Sequence, residues 1–163
     1  MGCVWHPKYM SELKVSLQND LTTAIRAKDQ LTTGTLRMVL SAITNEEVSG
    51  KAARELSDQE VVTVLNREAK KRKEAATAFD EANRSELADR ERAELEVISK
   101  YLPEALSADQ LASIIATAVA EVTASGQSGP SAMGAVMKLV TPQVAGRADG
   151  AAVAAAVKAA LAN

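Results

Sequence analysis

The chain has almost no aromatic residues: one Trp, two Tyr and one Phe in 163 residues. Strands depend on β-branched and aromatic side chains to fill their faces, so the scarcity argues against a sheet core. A single cysteine, Cys3, excludes an internal disulfide and fits a reducing compartment. The one histidine, His6, leaves no base for Ser-His-Asp chemistry and no four-ligand metal site. No apolar run approaches the ~20 residues of a membrane-spanning helix, and no secretory h-region is present. A cytoplasmic location with no membrane partner is therefore expected. There is no basic excess either. With 19 cations against 21 anions, a strong phosphate-neutralising surface is excluded overall and any cationic function must be local. P-loop and Rossmann glycine patterns are missing, so no nucleotide or other cofactor is expected.

What is present is helix. Leu13, Leu17, Leu21, Ala24 and Ile25 recur at helical spacing after Ser11, an N-cap residue, and the helix should stop near Asp29. A second helix is expected from Thr32 or Thr33, with Gly34 in its first turn, carrying Leu36, Val39, Leu40, Ile43 and Val48 up to the stop at Ser49-Gly50. Ser57-Asp58-Gln59-Glu60 is a capping box that launches a long helix through Phe79 to about Asn83. Ser85 caps a fourth, with Leu87, Ala88, Leu95 and Ile98 on one side, ending at Tyr101-Leu102-Pro103, where the proline forces an extended residue before it.

Beyond that break Ser107 caps a fifth helix with Leu111, Ile114, Ile115, Ala118 and Val122, and Ser125 to Pro130 reads as a flexible linker. A short sixth helix is expected over 131–140, then Pro142, then a seventh over 150–161 capped by Asp149. The expected fold is all-α: an N-terminal bundle of about four helices, one of them long, over 10–101, and a three-helix module over 102–163. Residues 1–9 read as a segment outside the fold, preceding a start at Met10; an aromatic plug formed by Trp5 and Tyr9 is the alternative. Acylation at Gly2 and Cys3 is disfavoured, because the acceptor pattern wants Ser or Thr where His6 stands.

Two clusters carry candidate chemistry. In the long helix Arg67, Lys70, Lys71, Arg72 and Lys73 oppose only Glu68. At 100° per residue Arg67, Lys70 and Lys71 share a sector suited to phosphate contacts. The plain alternative is a solvated face with Glu68 and Glu74 in exposed pairs. Arg72 falls instead on the apolar stripe of Val61, Leu65, Ala69 and Ala76, so it should be a buried guanidinium paired with Glu94, Glu47 or Asp80. The second cluster is Met133-Gly134-Ala135-Val136-Met137-Lys138 with Gly146-Arg147-Ala148-Asp149-Gly150. Gly134 would admit a close partner backbone, and Gly146 and Gly150 would relieve the turn. Lys138 and Arg147 could converge on an anion at the start of the last helix, with Lys158, the remaining cation of the module, nearby. Read plainly, the same stretch is a helix–helix turn with Asp149 as cap. Carboxylate pairs such as Glu46/Glu47 and Glu91/Glu94 sit on amphipathic helices and are expected to be solvated. No catalytic residue stands out.

The run G-x-V-M-K…G-R-A-D, on Gly134, Val136, Met137, Lys138, Gly146, Ala148 and Asp149, resembles the YqeY family. The resemblance also takes in Ala27-Lys28-Asp29, Leu36-Arg37-Met38, Arg67 to Arg72, Phe79, Glu94-Leu95-Glu96 and Tyr101-Leu102-Pro103. It implies an all-helical protein whose C-terminal module is similar to the tail of the B subunit of tRNA-dependent amidotransferases. In that subunit the tail is associated with tRNA recognition, while transamidation belongs to other domains. The resemblance therefore implies a tRNA-binding or translation-associated accessory protein without activity of its own. A module that docks on an amidotransferase or another translation enzyme is the alternative. A carbon–nitrogen ligase using glutamine as donor is a second one, expected only as a label by similarity. Oligomeric state is not legible in the sequence.

Overall fold

A computed structural model describes residues 11–162, so the readings made for residues 1–9 lie outside the described residues. Seven α-helices and one 3₁₀ turn, with no strand, make up the described residues. The chain divides between Leu102 and Pro103 into two compact units, each with its own core.

In the first unit α1 spans Glu12–Ala27, α2 Gln30–Val48, α3 Asp58–Glu81 and α4 Ser85–Ser99. Ser11 caps α1, accepting from the Lys14 N–H at 3.2 Å, and its hydroxyl donates to Asp58, which ties the start of α1 to the start of α3. Lys28 closes α1 in the left-handed region, φ 57°, returning its N–H to the Ala24 and Ile25 carbonyls. The next residue at once caps α2. Asp29 accepts from Thr32 N and Thr32 Oγ1, so α2 begins at Gln30, two residues earlier than its pattern suggests. Gly34 consequently lies beyond the first turn, inside the helix. Ser57 and Glu60 form the expected capping box on α3. Asn83, also left-handed at φ 57°, turns the chain into α4; Ser85 is that helix's first residue and not its cap, which falls to Arg84 without a side-chain bond.

The core of this unit joins Leu17, Leu36, Val39, Ile43, Leu56, Leu65 and Ile98, with Tyr101 and Leu102 packed against it. Three residues placed on apolar stripes are not in it. Ile25, Val48 and Leu87 are 46%, 57% and 39% exposed.

Glu60 accepts from Arg54 Nη2 at 2.7 Å and from Ser57 N at 2.9 Å, and these bonds, Arg54 foremost, hold its carboxyl down from 4.5 to about 2. A depressed carboxyl stabilises the fold above its unfolded pKa. That contribution is expected to disappear as the pH falls from about 4.5 towards about 2. An acid-melting series should show the loss in this window, and Glu60→Gln should flatten it.

In the second unit α5 spans Ala108–Ala124, the 3₁₀ turn Gly129–Ala132, α6 Met133–Val144 and α7 Gly150–Leu161. Ser107 and Gln110 form a second capping box. The segment expected as a flexible linker is an ordered turn inside this unit: Ser125 closes α5, Gly126 and Gly129 take φ of 90° and 65°, and Pro130 opens the 3₁₀ turn. The sixth helix also runs past its expected end at 140. Pro142 lies within it, withholding one N–H from the Lys138 carbonyl, and the continuation buries Val144 beside Val140 and Val136. Gly146, at φ 74°, then supplies the left-handed residue that redirects the chain.

Candidate functional site

Arg72 is the centre of the only charged group buried in the first unit's described core. It is 8% exposed, and Glu68 and Glu94 are each 7% exposed. Arg72 Nη1 donates to Glu68 Oε2 at 3.0 Å, while Nε faces Glu94 Oε2 at 3.4 Å, an ion pair without a hydrogen bond. Nη2 points to the Met38 sulfur at 3.4 Å. At the rim Lys71 Nζ takes the other Glu68 oxygen at 2.7 Å, and Arg90 Nε approaches Glu94 at 3.5 Å. Of the expected partners, Glu94 is used, Glu47 is held by Lys14 at 2.7 Å, and Asp80 accepts from Arg92. Glu68 was expected on a solvated face and is buried. Its spacing of four residues from Arg72, on the same inward stripe, is the signal that finds it.

Arg67, Lys70 and Lys71, three of the outward cations of α3, have partners inside the protein. Arg67 Nη2 donates to Glu46 Oε2 at 3.0 Å, Lys71 is bound to Glu68, and Lys70 also has a partner. Glu46, Glu47 and Glu94, read as solvated carboxylates, are each in an ion pair. Tyr101 donates to Asp20 Oδ2 at 2.6 Å, and burial, followed by this bond, pushes its hydroxyl pKa up. Pro103 begins the next unit.

In the second unit Arg147 is a strap. Its Nε donates to the Glu104 carbonyl at 3.0 Å and its own carbonyl accepts from Leu106 N at 2.9 Å, fastening the entering segment to the α6–α7 turn. The start of α7 is filled by the protein's own carboxylate: Asp149 Oδ1 accepts from Ala151 N at 3.0 Å and Ala152 N at 3.1 Å. An anion arriving there would meet that charge. Lys138 and Lys158 are exposed and make no ion pair among the described residues, and the side of α6 at Gly134 is open, with nothing within 4 Å of an added Cβ. Asp149→Ala is expected to lower the stability of this unit by about 1 kcal/mol, as loss of a helix cap typically does, while Lys138→Ala should leave it unchanged. Urea midpoints of the two variants check this.

The feature that sequence reasoning missed is the outer face of α2. Gln30, Leu31, Gly34, Arg37, Met38, Ser41, Thr44, Asn45 and Val48 are all exposed, and Arg37 is the one charge among them. Leu31 and Met38 are 37% and 43% exposed, and with Val48 they are three of the five large exposed hydrophobics of the described chain. A fourth, Ile25, lines a cleft of about 290 Å³ at the α1–α2 corner together with Lys28, Asp29, Gln30, Thr33 and Arg37. Asp29 is turned onto its cap, and its bonds to Thr32 lower its pKa. No helix of the described residues is long and apolar enough to cross a membrane, and no three of His, Cys, Asp and Glu gather there as a metal set.

Comparison with known proteins adds the family. The chain is similar to "Altered inheritance of mitochondria protein 41, mitochondrial" of Clavispora lusitaniae, 38% identical over 87 residues, covering 53% of this chain and 49% of that one. The Lachancea thermotolerans protein of the same name is 34% identical over 87 residues, covering 53% and 46%. That of Saccharomyces cerevisiae strain YJM789 is 33% identical over 98 residues, covering 59% and 51%. This chain thus spans about half the length of these relatives. Their names correct the expected cytoplasmic location, since they place the relatives in mitochondria. A lone cysteine and the lack of a spanning helix describe a folded body equally well in either compartment and do not choose between them. The family model described as "Yqey-like protein" matches residues 14–161, through both helical units, and the chain belongs to that family.

Proposed function

We propose that this protein is a non-catalytic accessory protein that works by docking on another protein, with the outer face of α2 as its contact surface. The observation that carries the reading is the composition of that face: three large exposed hydrophobics and a single charge, in a chain that is 25% charged. Leu31 and Met38, two turns apart on that face, with Val48 further along, are large exposed apolar side chains of the kind that interaction sites use. By resemblance to the amidotransferase B-subunit tail, the partner is an amidotransferase or another translation enzyme. A carbon–nitrogen ligase activity would belong to such a partner.

The tRNA reading is the second one, and Lys138 and Lys158 favour it because both are exposed and make no ion pair among the described residues. The cations of α3 do not add to it, since Arg67 and Lys71 already neutralise Glu46 and Glu68. Filter-binding titration with unmodified tRNA at about 50 and 200 mM salt separates the two. Docking predicts affinity no tighter than the ~10⁻⁴–10⁻⁶ M of non-specific binding. Tighter binding that falls steeply with salt, and that Lys138→Ala and Lys158→Ala weaken, would put RNA first.

A further inference from the structure

Resting on the docking reading, we infer that the α2 face and the corner cleft take an amphipathic helix of another protein, acidic along one flank. One large apolar side chain of that helix is seated in the cleft, and its carboxylates lie beside Lys28 and Arg37. The cleft, about 290 Å³, lies just below the ~300–1,000 Å³ range of small-molecule pockets, with room for a single side chain such as Leu or Met against Ile25, its one apolar lining residue. From it the outer face of α2 continues through Gly34 and Ser41, two turns apart, to Val48, with Leu31 and Met38 alongside. Small residues in the middle and apolar ones around them are what a second helix needs to lie close.

Gly34 makes the case specific. It lies within α2, where glycine is less favourable than alanine, yet a Cβ added there would meet nothing within 4 Å. Nothing in the protein's own fold needs a glycine at this position. A helix crossing over it does.

The charges select the occupant. Lys28 and Arg37 border the cleft and make no ion pair among the described residues, while Asp29 is bound to Thr32. A second copy of this chain is a poor fit, because a two-fold contact brings the same patch onto itself. The outer face of α2 has no carboxylate to offer a second Arg37. RNA is no better suited: the outer face of α2 carries a single cation and has no aromatic ring on which a base could stack.

The test places a photoreactive side chain at the margin of the face on the full-length protein in its native host, as Asn45→p-benzoylphenylalanine, with Lys73→p-benzoylphenylalanine on α3 as the control. Crosslinked peptides are then sequenced. The proposal expects a peptide of another protein with apolar residues at i, i+3 or i+4 and i+7 and a net negative charge, crosslinked at Asn45 and not at Lys73. Adding Arg37→Glu or Gly34→Leu should cut the yield at least tenfold, with each variant melting no lower than the parent. A crosslink from Asn45 to a second copy, to RNA or to a basic peptide overturns the proposal, as does a yield that neither substitution changes. A protein captured only from position 73 removes the α2 face as the contact surface and keeps only a docking role through another part of the protein. No protein captured from either position removes both.

Discussion

Replacing Arg72 with alanine is expected to destabilise the N-terminal unit by about 3 kcal/mol, the lower end of what losing one partner of a buried ion pair costs. Arg72 is the one cation that reaches both Glu68 and Glu94, carboxylates 7% exposed that stay behind in the variant. Lys71 and Arg90 still touch one oxygen of each, which is why the lower end applies. Arg72→Lys should recover only part of the loss, because an ammonium cannot present the planar fork that serves two carboxylates at once. The triple variant Arg72→Met, Glu68→Gln, Glu94→Gln should be more stable than Arg72→Ala, since the cost lies in the orphaned charges. Urea unfolding of the four proteins decides it. A loss under about 1 kcal/mol for Arg72→Ala would mean that water reaches the carboxylates.

Leu65→Ala should produce a loss of similar size, about 3 kcal/mol, for a different reason. Leu65 is fully buried on α3, in the cluster that joins Leu17, Leu36, Ile43 and Ile98, and its truncation leaves a cavity among side chains from four helices. Ile25→Ala, by contrast, removes a side chain that is 46% exposed and should stay within about 0.5 kcal/mol. On the docking account Ile25→Ala weakens partner binding without lowering the melting temperature. The pair separates a side chain that holds the fold from one that serves a partner.

The helical architecture was legible because helix periodicity and caps agree locally. Ser57 with Glu60, Ser107 with Gln110, and Asp149 each mark a helix start from a few neighbouring residues. The boundaries that slipped depend on tertiary packing. By its pattern Asp29 ends one helix when it in fact caps the next, and the pattern ends the sixth helix at Val140 when burying Val144 carries α6 on through Pro142. The inward position of Arg72 follows from its phase, but Glu68 looks on the sequence like one more charge in a charged run. The α2 face could not be seen at all. Val48 and Ile25 satisfy the same apolar spacing as true core residues, and only the positions of the neighbouring helices show that nothing covers them. Exposure is a property of the assembled bundle, and no pattern along one helix encodes it.

The measurement closest to the central claim is affinity purification of the tagged full-length protein, with and without nuclease treatment, beside its Gly34→Leu variant. The account predicts a protein partner that survives nuclease and is lost with Gly34→Leu, although that variant melts at least as high as the parent. A partner that disappears on nuclease treatment, or one that Gly34→Leu retains in full, would contradict it.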